Sequence, residues 1–219
     1  ALAKEFSCQV IELSGGPRGP AHARNEGAKI ARGDILFFID SDVVIHPETL
    51  QIAAEAFETS PETGALFGSY DETPSEGEFI SQYKNLLHHY VHQQAHENAS
   101  TFWSGCGAIR REVFFKVGGF DAARYLRPSI EDIELGLRMR SAGYEIKLNK
   151  AVQAKHLKHW SMANLIKTDI LYRAIPWTQL ILQYRNVPND LNLRLSQRLS
   201  SVLLLALIGI LGWAGLFLP

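Results

Sequence analysis

The 219-residue chain has little cysteine and almost no net charge. Two cysteines, Cys8 and Cys106, make no disulfide framework and read as thiols of a reducing compartment. Lys and Arg number 22 against 23 Asp and Glu, a net charge of −1, so no basic field points to nucleic acid as a partner. Neither an initiator Met nor a charged-then-apolar leader opens the chain. Ala1–Phe6 reads instead as the tail of a helix leading into a strand, Cys8–Leu13, so the sequence is expected to start inside a domain. The loop Ser14–Pro20 is rich in glycine, but its spacing fits neither a P-loop nor a dinucleotide fingerprint. The length allows one good core plus an appendage.

Charge is also missing from Ser200 to Leu218, nearly the ~20 residues that cross a hydrocarbon core as a helix. Arg194 and Arg198 stand just before this run, and flanking arginines favour the cytoplasmic side. A buried core helix is the alternative, but leucines and glycines lie all round and no polar face is present. Between Ser161 and Arg185, Leu165, Ile166, Ile170, Trp177 and Leu180 alternate with Lys167 and Arg173. That pattern suits a helix lying in the membrane interface, with Pro176 expected to kink or break it; packing on the domain is the other reading. The divisions expected are residues 1–160 as domain, 161–198 as amphipathic segment and 199–219 as transmembrane helix.

What the chain does hold is an apolar run, Ile35–Ile39, that follows Gly33–Asp34 and ends in Asp40–Ser41–Asp42. A short unbroken apolar run reads as a strand buried on both faces, as in parallel sheets. Ligands of open α/β sheets lie beyond the carboxyl ends of the strands, where the two carboxylates would stand. Carboxylates that close repel unless a cation intervenes, and Mg²⁺ is commonly held by one or two carboxylates plus substrate phosphates. A solvated turn explains an isolated Asp-x-Asp equally well.

Upstream, Ala21–Ala31 is a helix former carrying Arg24, Asn25 and Lys29, either beside an anion or simply at the surface. Helix, strand and helix follow at His46–Ser60, Ala65–Tyr70 and Glu78–His96, the rhythm of an α/β sheet with crossovers. In the last helix Phe79, Tyr83, Leu86, Leu87, Tyr90 and Val91 form the expected buried stripe. His88, His92 and His96 recur every four residues, a zinc-compatible spacing without the acidic partner of the usual motif. Small residues around Trp103, namely Gly105, Cys106 and Gly107, suit a wall that a ligand approaches closely or plain packing of the indole. Ser129 is placed to cap a helix with Glu131 and Asp132 in its first turn, where a carboxylate could act as general base. Two short strands, Gly143–Leu148 at an edge and Val152–His156, come next, with His156 and His159 as candidate metal imidazoles.

From Gly19 to His156 the stretches GPAHARNEGAKIARGDILFFIDSD, SGCGAIRREVFFKVGGFD, SIEDIELGLRMRSAGYEI and AKHLKHW occur in the order seen in family 2 glycosyltransferases, which this chain resembles. The tail resembles membrane-anchored bacterial members. The resemblance implies an α/β fold of the GT-A type with flanking helices, without its first strands. It also implies inverting transfer from a nucleotide-diphospho-sugar to an acceptor hydroxyl. It gives Asp40 and Asp42 to the donor and a divalent metal (Mn or Mg), His156 to the metal or diphosphate, and Glu131–Asp132 to the catalytic acid pair, with Asp132 as base. Arg24 and Asn25 would lie beside the donor; Trp103 and Gly105–Gly107 would line the sugar and acceptor. The Gln-x-x-Arg-Trp motif of processive synthases is missing, with His159–Trp160 in a comparable place, which points to single-sugar transfer. A site near the bilayer suits a lipid-linked acceptor, with the catalytic domain cytoplasmic. A metal-dependent nucleotidyltransferase and a non-catalytic membrane-tethered binding module remain the competing readings.

Overall fold

The computed structural model describes residues 5–6, 8–16, 18–185, 190–191 and 195–217. Arg194 and Leu218 therefore lie outside the described residues, as do residues 1–4 of the expected opening helix. Five strands among the described residues form one sheet in the order β1-β4-β3-β5-β2. They are β1 (Ile35–Ile39), β2 (Val43–Ile45), β3 (Thr63–Tyr70), β4 (Cys106–Arg110) and β5 (Glu145–His156). Helices α1 (Gly19–Ile30), α2 (Thr49–Thr59), α3 (Phe79–Gln94), α4 (Arg111–Lys116) and α5 (Glu131–Ser141) flank it.

The expected parallel pairing holds only for β3 with β5; β1–β4, β4–β3 and β2–β5 are antiparallel. Strand β1 is an edge of the described sheet but is covered on both faces, as expected, except at its end, where Ile39 is 44% exposed. Its side chains divide by period 2, Leu36 and Phe38 into one core cluster and Ile35 and Phe37 against another. The same division places Phe67 of β3 with Val91 of α3 and Leu135 of α5, but Leu66 with Ala53 and Phe57 of α2. Thus α2 covers one face of the sheet while α3 and α5 cover the other. Cys8–Leu13 forms no strand and is exposed.

The two short strands expected at the end are one, β5, and it lies inside the sheet rather than at its edge. Its pairing with β3 slips between Phe67 and Ser69, where Leu148 gives way to Gln153. Gly68 sits at the slip, and a Cβ there would come 1.9 Å from the Val152 carbonyl oxygen. Gly68→Ala is expected to cost about 2–3 kcal/mol, the upper part of the overpacking range. Urea titration measures it, and a midpoint equal to wild type refutes this account of the slip.

Of the stripe expected to be buried on α3 only Val91 is; the other five residues of it turn outward. Ser81, Asn85, Val91 and His92 face inward, while Phe79 (77%), Tyr83 (47%), Leu86 (41%) and Tyr90 (61%) are exposed. Polar contacts decide the orientation. Asn85 donates to the Asp71 carbonyl at 3.0 Å, His92 Nδ1 meets the Gly68 carbonyl at 2.9 Å, and Ser81 Oγ accepts the Trp160 N–H at 2.8 Å.

After β5 a helical run continues through α6 (Met162–Lys167), a π-helix (Thr168–Ala174) and α7 (Ile175–Tyr184). Pro176 does not break it. The run changes to π geometry just before the proline, which sits in the first turn of α7, where an N–H is not required. Leu180 is fully buried, with Trp177 and Tyr184 packed on the same core. One helix among the described residues, α8 (Leu195–Phe217), is long and apolar enough to cross a membrane. Its span Leu195–Trp213 has a mean hydropathy of 1.7 and none of it is buried, so it is not a helix of the core.

Candidate functional site

The apolar stretch of β1 ends at the sheet rim, and the chain there turns from Asp40 to Asp42 before β2 begins. The turn is held by the Asp40 N–H donating to the Gly105 carbonyl (3.2 Å) and the Val43 N–H donating to the Asp40 carbonyl (3.1 Å). Beyond it opens a cavity of about 380 Å³, lined by Arg24, Asp40, Asp42, His88, Trp103, Ser104, Glu131, Asp132 and His156 among others. Residues from α1, β1, α3, α5 and β5 meet there.

Asp132 lies in the first turn of α5 and reaches back to the loop before β4. Its Oδ2 accepts from the Ser104 N–H (3.1 Å) and Oγ–H (3.3 Å), and its Oδ1 accepts from the Ile133 N–H (2.8 Å). Burial, and secondly the neighbouring Glu131 charge, push its carboxyl up to about 6, against the Ser104 N–H and Arg24, which pull it down. No local signal around Ser104 announces this role, which depends on a helix 28 residues away.

Arg24 is the hub of the other carboxylates. Nη2 meets Asp40 at 2.6 Å and Nη1 meets Glu131 at 2.9 Å. Glu131 also accepts the Ser129 N–H at 2.9 Å, so this nearly buried carboxylate on the cavity lining holds Arg24 with one oxygen and the loop before α5 with the other. Ser129 is not the cap of α5; its hydroxyl donates to the Tyr172 carbonyl and ties α5 to the π-helix.

Asp42 and His156 face each other across the end of the sheet, Oδ2 to Nε2 at 3.6 Å. His156, first, holds the Asp42 carboxyl below its ordinary value, and Lys158 adds to the effect. Tyr70 stacks on the His156 ring (4.3 Å, 8°) and fixes its plane, a role that no local signal in β3 announces. One carboxylate and one imidazole this far apart fit two ligands of a cation with bonds of about 2.0–2.2 Å, leaving other positions for phosphate oxygens. Asp40, expected as a further ligand, places Oδ1 on Arg24 and lines the same cavity. No group of three His, Cys, Asp or Glu side chains converges among the described residues.

Three expectations on the donor wall need correction. Asn25 spends both ends of its amide on the Phe120 backbone, donating at 2.8 Å and accepting at 2.9 Å, and anchors a loop outside the cavity. Cys106 is fully buried in the core, its thiol pushed up to about 12 by that burial, and it does not line the cavity. Gly105 and Gly107 are small because of Trp103: a Cβ would stand 2.5 Å from its indole and 2.3 Å from its carbonyl oxygen respectively. Trp103 itself lines the cavity, packed against Tyr70 and His88. His88 and His92 stack at 3.9 Å and burial holds both imidazoles neutral, His92 at about 4; His96 lies beyond the helix, so no zinc face forms.

Comparison with known proteins agrees with this arrangement. The family model described as glycosyl transferase family 2 matches residues 1–118, and one described as the N-terminal domain of galactosyltransferase matches residues 85–160. A glucosyl-dolichyl phosphate glucuronosyltransferase of Haloferax volcanii is 25% identical over 118 residues, 51% of this chain and 37% of that protein. An uncharacterized glycosyltransferase of Haemophilus influenzae is 28% identical over 133 residues, 56% of this chain and 41% of that protein. The chain thus spans about two-fifths of the length of these curated relatives. Among solved structures, a mannosyltransferase from Pyrobaculum calidifontis in complex with GDP-Man and Mn2+ superposes with a TM-score of 0.50 at 22% identity, over 68% of this chain and 39% of that one. Staphylococcus aureus TarS in complex with UDP-GlcNAc gives 0.51 at 18% identity, over 73% and 46%. These structural likenesses establish a shared GT-A-like fold.

Proposed function

We propose, from the premise that this chain belongs to glycosyl transferase family 2, that it moves a sugar from a nucleotide-diphospho-sugar to an acceptor hydroxyl with inversion at the anomeric carbon. The observation that carries the reading is the opening of Asp132 and the Asp42–His156 pair onto one cavity. Asp132, titrating at about 6, takes the proton of the acceptor hydroxyl as it attacks from the face opposite the leaving diphosphate. Ser104 fixes the orientation of that base, and Glu131 with Asp40 positions Arg24 beside it. Asp42 and His156 would hold Mn²⁺ or Mg²⁺, which supplies Lewis-acid neutralisation of a leaving diphosphate when bound. Trp103 offers an aromatic wall to the donor sugar or the acceptor.

The uncovered apolar helix α8 supports membrane anchoring, with Arg198 near its start favouring a cytoplasmic catalytic domain. A site so placed suits a lipid-linked acceptor. The test is release of nucleoside diphosphate from a panel of nucleotide-sugars, with Mn²⁺, with Mg²⁺ and after chelation. His156→Ala is expected to raise the Mn²⁺ concentration needed for half-maximal turnover by at least about 10–100-fold, the range for losing even an outer-shell partner of a metal ligand. Turnover that survives chelation overturns the metal assignment, and absence of turnover with every donor overturns the transferase.

A further inference from the structure

We propose that the outward stripe of α3 rests on the lipid bilayer beside the helical run 162–184, so that the cavity opens toward the membrane. The idea builds on the membrane anchoring argued above and does not depend on the transfer chemistry. Phe79, Tyr83, Leu86 and Tyr90 recur on one side of α3, with no charge among them and with Phe79 and Tyr83 stacked at 6.3 Å. A helix normally buries such a face. Here it cannot turn inward, because the bonds of Asn85, His92 and Ser81 commit the opposite, polar face to the domain.

What covers the stripe follows from its neighbours. Lys84 fastens α3 to the π-helix through Asp169 at 2.6 and 2.8 Å. That run presents Ile166 (51%), Ile170 (51%) and Leu171 (49%) outward, and both elements contribute to the same cavity mouth. Lys84, Lys158 and Arg173 lie on that side of the cavity; Asp169 pairs with Lys84 and Arg173, and the exposed Lys158 is the cation placed to meet anionic headgroups. The run ends at Tyr184 and α8 begins at Leu195, so the connection spans under about 40 Å even if fully extended. A bilayer holding α8 is therefore within reach of both apolar faces. An acceptor with an acyl or isoprenoid tail would enter between α3 and the π-helix without leaving the lipid.

The test uses the full chain in vesicles of phosphatidylcholine and phosphatidylglycerol, in a Cys8→Ser background that leaves only the buried Cys106. An environment-sensitive fluorophore is attached at Tyr83→Cys and, as control, at Leu50→Cys on α2, across the sheet. The label at 83 is expected to shift to the blue and lose intensity to lipids brominated in their acyl chains, whereas the label at 50 responds only to aqueous iodide. A label at 83 as open to iodide as the control, on protein that stays vesicle-bound, overturns the docking and leaves the anchoring intact. Shielding that rises with the protein-to-lipid ratio and yields disulfide-linked dimers through position 83 assigns the stripe to a second copy and also overturns it. Failure to bind vesicles removes both docking and anchoring. Thermal unfolding of each labelled variant matched to wild type keeps misfolding from imitating these results.

Discussion

Asp132→Asn is expected to lower turnover by about 10²–10⁴-fold while leaving the fold at least as stable as wild type. The rate term follows from the proposed role of Asp132 as the base that takes the acceptor proton. The stability term follows from burial. In the folded chain the carboxyl holds its proton up to about 6, above its ordinary value of 3.8, so the unfolded chain releases that proton first as pH rises. Stability therefore declines between about 4 and 6, and the cost of the buried charge is fully present above 6. Asparagine carries no such charge; its carbonyl oxygen can still accept from Ser104, at the loss of the bond that the Ile133 N–H gives to Oδ1, a smaller term than the buried charge. Thermal unfolding at pH 7.5 should give a Tm for the variant equal to or above wild type, the difference closing near pH 4. In wild type, kcat/KM should fall as pH drops through about 6, since the base works deprotonated. Wild-type turnover in the variant would remove Asp132 from the scheme, and a large fall in its Tm would make its role structural.

The second large effect belongs to Arg24. Its side chain is 15% exposed and that of Glu131 only 6%, so Arg24→Leu strands a buried carboxylate whose other partner is one N–H. Removing one partner of a buried pair typically costs about 3–5 kcal/mol. At roughly 2–4 °C per kcal/mol for a chain of this size, Tm should fall by about 6–20 °C. Asp40 adds little to that sum, since it faces solvent to 35%. The variant also loses a cation that holds the Asp132 carboxyl down, so the acid limb of the pH–rate profile should move above 6. Arg24→Lys is expected to recover only part of the loss, because an ammonium lacks the fork that spans Asp40 and Glu131 together. A Tm within a degree or two of wild type would show that the bridge contributes nothing to the fold.

Much of the site could be read in one dimension. Asp40, Asp42, Asp132 and His156 stand on the cavity, where positions at strand and helix ends would put them, and Trp103 lines it too while packing on Tyr70 and His88. Contacts were the unreadable part. Asp40 belongs to Arg24, Asn25 to Phe120, and the glycines before β4 to Trp103. Each of these partnerships joins residues whose neighbours in sequence carry no trace of it, with the exception of Gly105 and Gly107.

Local chemistry by itself determined α1, α2, α5, β1 and β3, because side-chain period, turn residues and a proline near a helix start act within a few residues. Apolar composition likewise determined that α8 would be a long uninterrupted helix. Tertiary structure alone decided the antiparallel partners of β1, the continuous β5 and the inward face of α3. A periodic pattern states which side chains share a face; which surface that face meets depends on hydrogen-bond acceptors supplied from elsewhere. For α3 those acceptors were the Gly68 and Asp71 carbonyls, and satisfying buried polar groups outweighed burying Phe79 and Tyr83.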